Sequence, residues 1–511
     1  MLIGQRRLGV IISYITLIFT SIVGVLFTPL LISSLGKAEY GLYQLVNSFA
    51  GYLVILNFGT GTVVTRYIAK YRSLNNHKEQ QNFLSMALII TFIFSFLVII
   101  VGTGLFFSID IMFKSSLTVN EISKAKQLFV LMMLNIALSF FTNYFSGITS
   151  GYEKFGIANG FKLLRMIIKY SILWILLKLG LKSVALVSLD LGITILILLL
   201  ESSYCFNRLK VRIKYYYIDR KLLTSVGTFS FAVFLQAIVN QVNQNIDRVI
   251  LGILTDTNTV AIYSISLVVY SMFNNITGTI GGVFVPQATK MITEGATSEE
   301  LTDLVIKPGR IQFIIGGAIG AGFILFGKNF IKIWVGEDFL GAYLPTLFLI
   351  IPSIIPMMQN VANTILDALM KRLGRSLILI FMSLMNIVLT LVFVNVMGYV
   401  GAAIATGISI FIGNIILMNI YYKRTFGLNV LRMFKSIFNG ILPCLMVATL
   451  ISVPITIILD DTILNFIIKG FIFVSVYLGL LIRFGFNQYE QNLFINPFKS
   501  IVSKVFSRVV R

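Results

Sequence analysis

Cysteine, histidine and acidic residues are nearly absent: the 511 residues include two Cys, one His and only 20 Asp plus Glu. Cys205 and Cys444 lie far apart in or near apolar stretches, which excludes a disulfide framework and a thiolate metal site. His77, alone in a polar loop, leaves no histidine cluster for metal binding and no His-centred catalytic arrangement. No Walker or dinucleotide motif stands beside a strand, and no nucleophile arrangement is recognisable. A long polar loop able to carry out glycosyl transfer to a lipid is missing too. The chain is therefore not expected to be an enzyme, to carry a cofactor or to be driven directly by nucleotide hydrolysis.

What is abundant is apolar. Hydrophobic residues make up 57% of the chain and charged ones 12%, with 43 Phe and 40 Gly. Apolar runs of about 20 residues recur between short polar loops, the pattern of a polytopic all-α membrane protein. A β-barrel would instead alternate over segments of about 10 residues. Fourteen spans are expected, at about 9–34, 40–68, 82–107, 124–148, 158–180, 183–206, 223–254, 258–287, 309–328, 342–368, 376–397, 400–422, 437–459 and 463–483. The net charge of +21 is distributed unevenly. Loops assigned to one side hold about 30 Lys and Arg and those on the other about 10, the bias of cytoplasmic loops, with no groove-reading element that would suggest nucleic acid.

Arg6 and Arg7 precede an apolar run too long for a signal peptide and without a cleavage site, so residues 9–34 read as the first span, with both termini cytoplasmic. The stretch 496–511 places Phe498, Ile501, Val502, Val505 and Val509 on one helical face, the pattern of an interfacial amphipathic helix.

The basic run Arg208 to Lys221 separates two halves that match at an offset near 218–220 residues. Gly156 after Glu153 and Lys154 matches Gly374 after Lys371 and Arg372, Leu179 to Leu189 matches Met397 to Gly407, and Gly41 to Leu45 matches Ala261 to Ile265. Six spans per half is an even number, so the halves share one orientation, as in transporters built from parallel repeats. The expected organisation is an N-lobe (1–220), a C-lobe (221–430), two extra spans (431–485) and a basic amphipathic tail (486–511).

Span 7 carries a polar seam. Gln236, Asn240, Asn243 and Asp247 fall on one helical face and Gln241, Gln244 and Arg248 on the adjacent one. Hydrocarbon cannot satisfy these groups, so the seam must face water or other helices. Asp247 and Arg248 read either as a salt link closing an outer gate or as substrate contacts. Gln236, Asn240 and Gln244 read as sugar-binding amides or as interhelical hydrogen bonds, and Asn274 and Asn275 of span 8 read likewise. Asp190 and Asp367 are candidates for proton or Na⁺ coupling or for local ion pairs. Pro345, Pro352 and Pro356 predict that span 10 is bent or broken.

Four stretches carry a family resemblance: LGKAEYGLYQLVNSF (Leu35 to Phe49), GTGTVVTRYIAKY (Gly59 to Tyr71), the turn GYEKFG (Gly151 to Gly156), and NIDRVILG followed by VAIYSIS. They resemble the Wzx-like O-antigen and capsule repeat-unit flippases of bacterial polysaccharide biosynthesis, in the multidrug/oligosaccharidyl-lipid/polysaccharide superfamily. The resemblance covers about residues 1–430. It implies export of an undecaprenyl-diphosphate-linked oligosaccharide by alternating access, in the cytoplasmic membrane, with membrane lipids, polysaccharide polymerase and assembly proteins as partners. Where such proteins often carry Asp, this chain has Asn57 before Gly59, which argues against ion coupling there.

A diphosphate headgroup requires cations reachable from the cytoplasm. Arg66 on span 2, Lys162, Arg165 and Lys169 on span 5, and Lys307 and Arg310 on span 9 are the candidates, each of which reads equally as a lipid-facing anchor. The competing readings are a drug/cation antiporter of the same superfamily using Asp190, a lipid II flippase, and a non-transporting scaffold of an assembly complex.

Overall fold

The computed structural model describes residues 2–278 and 284–495; the amphipathic helix expected over 496–511 lies outside them. The described residues are helical with no strand, as the recurring apolar runs require. The helices are α1 (Leu2–Leu35), α2 (Lys37–Gly51), α3 (Thr60–Ser73), α4 (His77–Phe113), α5 (Val119–Gly151), α6 (Phe155–Lys178), α7 (Ser183–Ser203), α8 (Arg220–Leu254), α9 (Thr257–Gly278) and α10 (Val285–Thr293). They are followed by α11 (Ser298–Val335), α12 (Tyr343–Met358), α13 (Asn360–Ala368), α14 (Arg372–Ile410), α15 (Met418–Phe426), α16 (Val430–Phe438), α17 (Ile441–Ile458), α18 (Ile463–Leu480) and the short α19 (Gln488–Glu490).

Ten helical stretches among the described residues are long and apolar enough to cross a membrane. The stretch 372–426 contains two such arms, because α14 folds back at Gly398 (φ 56°, ψ −137°). Asn386 donates to Thr406 (2.9 Å) across that hairpin, and Met382 lies against Gly413. The long helices α1, α6 and α8 are not among these ten, and α6 carries the charges of Lys162, Arg165 and Lys169.

The chain divides into two compact units, 1–264 and 265–511. In the first, α3 and α5 cross closely where side chains are smallest. A Cβ on Gly147 would stand 2.6 Å from Gly61 O, and one on Gly151 would stand 2.8 Å from Ile68. Thr65 donates to Gly147 O (3.1 Å) at the same crossing, the small-residue packing that lets membrane helices approach. Below it Tyr67 stacks on Phe83 in a core with Leu84, Tyr144 and Ile148.

In the second unit α11 is central. Its Thr297–Glu300 capping box starts the helix, and its glycines receive neighbours: Met357 and Ile354 of α12 lie against Gly316 and Gly320, and Leu445 of α17 lies against Gly317.

The turns repeat between the two units. Glu153 (φ 58°) closes α5 and Met370 (φ 57°) follows α13, both left-handed, and each is followed by the same bond from the next amide, Lys154 N to Thr149 O (3.1 Å) and Lys371 N to Leu366 O (2.9 Å). Asn75 and Gly295 form a second such pair, and Gly180 and Gly398 also share positive φ. These positions recur near the offset read from the sequence, so the internal repeat is present at the level of backbone conformation.

One expectation about continuity changes and another holds. The second span is not one helix: α2 ends at Gly51, a 3₁₀ turn covers Tyr52–Asn57, and Phe58 (φ 49°) and Gly59 (φ 67°) are left-handed before α3 begins. The physical reason is visible in the packing. Phe58 is stacked between Phe94 (4.5 Å) and Phe234 (4.4 Å), which holds a non-glycine residue in a conformation costing about 1–2 kcal/mol. The tenth span does break as its prolines suggested, at Gln359, whose side chain donates to Asn419 (2.8 Å).

Candidate functional site

The polar residues of α6 recur at helical spacing, so Lys162, Arg165 and Lys169 share one face. Arg165 lies about 15 Å along α6 from Phe155 and Lys169 about 21 Å. Neither group can remain in an apolar helix bundle without partners, and α7 supplies them. Lys169 Nζ lies 2.8 Å from one oxygen of Asp190 and 3.0 Å from the other. Arg165 Nη2 donates to Thr194 Oγ1 (2.7 Å), and Thr194 lies one turn beyond Asp190, contacting its carbonyl (2.9 Å). Asn135 of α5 completes the ladder, its Oδ1 accepting from Thr194 Oγ1 (2.5 Å).

At the Phe155 end Asn159 donates to Gly9 O (3.0 Å) and Ser13 Oγ (2.9 Å), tying α6 to α1. Lys162 is exposed and makes a long contact with Asn159 (3.5 Å). On α7, seven residues beyond Thr194 and so on the same helical face, Glu201 is 3% exposed and interacts electrostatically with Lys162 and Arg165. Its Oε2 has no hydrogen-bond partner. At the opposite end of the helices Glu39 accepts from Ser183 N (2.9 Å) and Oγ (2.6 Å) and pairs with Lys124 (2.7 Å), joining α2, α7 and α5.

The seam of α8 does not face one way. Gln236, Asn240 and Gln244 form an exposed stripe in which Gln236 donates to Asn240 (3.1 Å). Arg248 turns to α2, donating to Ser48 (3.1 Å) as well as to Asn245 (3.3 Å), and its Nε is buried without a partner. Asp247 is buried and accepts from Tyr263 of α9 (2.6 Å). Asp247 and Arg248 thus reach hydroxyls on different helices, Tyr263 of α9 and Ser48 of α2.

The remaining candidates lie apart from the α6 ladder. Arg66 is exposed on α3. Lys307 is exposed with its ammonium 5.7 Å from the Tyr489 ring. Asp367 pairs with Arg372 (2.8 Å) and lies 3.9 Å from Arg375 at the turn after α13. Arg310 is buried and its donors are taken: Nε and Nη2 go to the two oxygens of Glu490, Nη1 to Ser436 O and Asn439 O, and Nη2 also to Gly485 O. Contact with a phosphate would require breaking that network, so here Arg310 joins α11 to the segments around 436–439 and 485–490.

Sequence reasoning named α6 and Asp190 but missed Glu201, Thr194, Asn135 and Glu490. A usable signal for Glu201 and Thr194 existed: they follow Asp190 at 11 and 4 residues, one helical face of α7. Glu490 had none, since its partner is 180 residues away.

Solved structures similar to this one include transporters at low identity. A lipid II flippase MurJ in an inward closed conformation matches with TM-score 0.71 and 18% identity over 93% of this chain and 98% of its own. An inward-facing multidrug resistance MATE family transporter of the MOP superfamily matches with TM-score 0.57 and 17% identity over 79% and 99%. A MOP superfamily transporter from Pyrococcus furiosus matches with TM-score 0.50 and 14% identity over 84% and 94%. These likenesses establish the fold. Comparison with curated proteins gives no significant match. The profile described as polysaccharide biosynthesis protein matches residues 8–292, more than half of the chain, and with the transporter fold and the motifs above this places the chain in the polysaccharide biosynthesis protein family.

Proposed function

We propose that the protein is a flippase that moves an undecaprenyl-diphosphate-linked oligosaccharide from the cytoplasmic to the outer leaflet of the cell membrane by alternating access, with both termini cytoplasmic. The observation that supports this most directly is Arg165. It lies deep in a helix, and among the described residues it uses one donor, on Thr194. A guanidinium with further donors available, beside exposed Lys162, suits a diphosphate, which takes bidentate contacts from arginine. The exposed amides Gln236, Asn240 and Gln244 are of the type that hydrogen-bonds sugar hydroxyls.

Lipid II is the second substrate reading, favoured by the likeness to the lipid II flippase fold; it shares the diphosphate chemistry and differs in the sugar. The antiporter reading loses support because Asp190, the acid it relies on, is paired with Lys169. Coupling to H⁺ or Na⁺ and association with a polymerase belong to the same proposal.

The test is leaflet exchange in liposomes holding only the purified protein. Undecaprenyl-diphosphate oligosaccharide is expected to exchange in wild type and to stop in Arg165→Ala and Arg66→Ala. Exchange of lipid II alone moves the assignment to that substrate. Absence of exchange for both lipids under imposed ion gradients refutes the flippase reading.

A further inference from the structure

Glu201 is a carboxyl group that the ladder described above does not use. It lies near the end of α7, buried to 3% exposure, with one oxygen lacking any partner, while the two cations nearest to it are engaged elsewhere: Arg165 on Thr194 and Lys162 on Asn159. The titratable neighbours just beyond the end of α7 are Tyr204, whose ring lies against Phe161 of α6, and Cys205, buried against Thr149 and Phe145 O of α5. On α5 the Tyr144 hydroxyl donates to Leu84 O (2.9 Å). Burying a carboxylate without donors costs several kcal/mol, whereas the neutral acid is tolerated.

We infer that Glu201 is a proton-operated switch on anion binding: with its proton it leaves Lys162 and Arg165 to a phosphate group, and on losing the proton it takes those cations and releases the anion. This rests on the flippase reading and adds to it the group that links headgroup affinity to proton binding. The proton exchanges with bulk water and no other bond changes. The geometry fits because Thr194, hydrogen-bonded to Asn135, holds Arg165 on the face of α7 that carries Glu201, whose Oε2 has no hydrogen-bond partner.

The probe is farnesyl diphosphate, a soluble prenyl diphosphate, titrated into the full-length protein in nanodiscs. Wild-type affinity is expected to fall about tenfold or more from about pH 6 to about pH 9, while Glu201→Gln binds at both ends of that range with no such slope. Should Glu201→Gln fold poorly, wild type alone carries the test. Near pH 8.5, where the ligand is already deprotonated, binding must take up protons from a weakly buffered solution, because the ligand prefers the protonated carboxyl. An unchanged pH slope in Glu201→Gln, a flat wild-type profile, or absence of proton uptake overturns the switch and leaves the flippase reading standing. Failure of wild type to bind farnesyl diphosphate at any pH also overturns the switch, and leaflet exchange decides the flippase reading separately.

Discussion

Lys169 Nζ reaches both oxygens of Asp190, at 2.8 and 3.0 Å, joining the middle of α6 to the first half of α7. The two side chains remain 30% and 20% exposed, so the pair is neither a surface contact nor a fully desolvated one. It neutralises the acid that a cation carrier would need and leaves Arg165 and Lys162 as the cations of that face with donors to spare.

Breaking this pair from one side leaves the other charge unmatched. Asp190→Asn and Lys169→Met are each expected to cost about 1–3 kcal/mol, below the fully buried range because of the residual exposure. The double variant should recover part of that loss. Thermal unfolding in detergent, followed by a thiol-reactive dye or tryptophan fluorescence, reads the cycle. Additive losses would show that the two charges do not interact.

The Arg310–Glu490 network is more deeply buried, at 6% and 0% side-chain exposure. Glu490→Gln or Arg310→Met should destabilise the 265–511 unit by about 3–5 kcal/mol, since each leaves a buried charge or several buried carbonyls without a partner. The expected outcome is a lower unfolding temperature and reduced yield, with farnesyl diphosphate affinity of the surviving folded fraction unaltered. A selective loss of affinity would return Arg310 to the substrate site.

Gly147 marks the place where α3 and α5 touch. In Gly147→Ala the new Cβ would come within 2.6 Å of Gly61 O, and neither backbone can yield without moving a helix. A loss of about 1–3 kcal/mol is expected, against almost none for Gly104→Ala, where nothing lies within 4 Å. Comparing the unfolding temperatures of the two variants checks it.

Asn82 fastens the basic segment that precedes α8. Its Oδ1 accepts from the amides of Tyr216 (3.0 Å) and Tyr217 (3.1 Å), and its side chain is fully buried. Asn82→Ala leaves those amides unpaired, a local cost of about 1–3 kcal/mol. Faster hydrogen exchange and tryptic cleavage confined to residues 208–220 are expected. Unchanged cleavage would mean that the remaining contact of Tyr217 with Glu79 is sufficient.

By itself the sequence determined the class of the protein, its spans, the parallel repeat and the placing of three cations on one face of α6. All of these follow from local rules: apolar length against bilayer thickness, helical period, and short sequence matches recurring at one offset. Even the proline-marked break in the tenth span is a local property. Only the tertiary structure decided which polar groups have partners. Arg165 and Arg310 look alike in sequence, yet one has donors available and the other is saturated by groups up to 180 residues away. The break at Phe58 and Gly59 depends on aromatic rings from α4 and α8, and the isolation of Glu201 depends on Thr194 capturing Arg165. Pairing across helices is a property of packing, because in an apolar environment the cost of an unmatched charge is set by whatever neighbour the fold brings within hydrogen-bond reach.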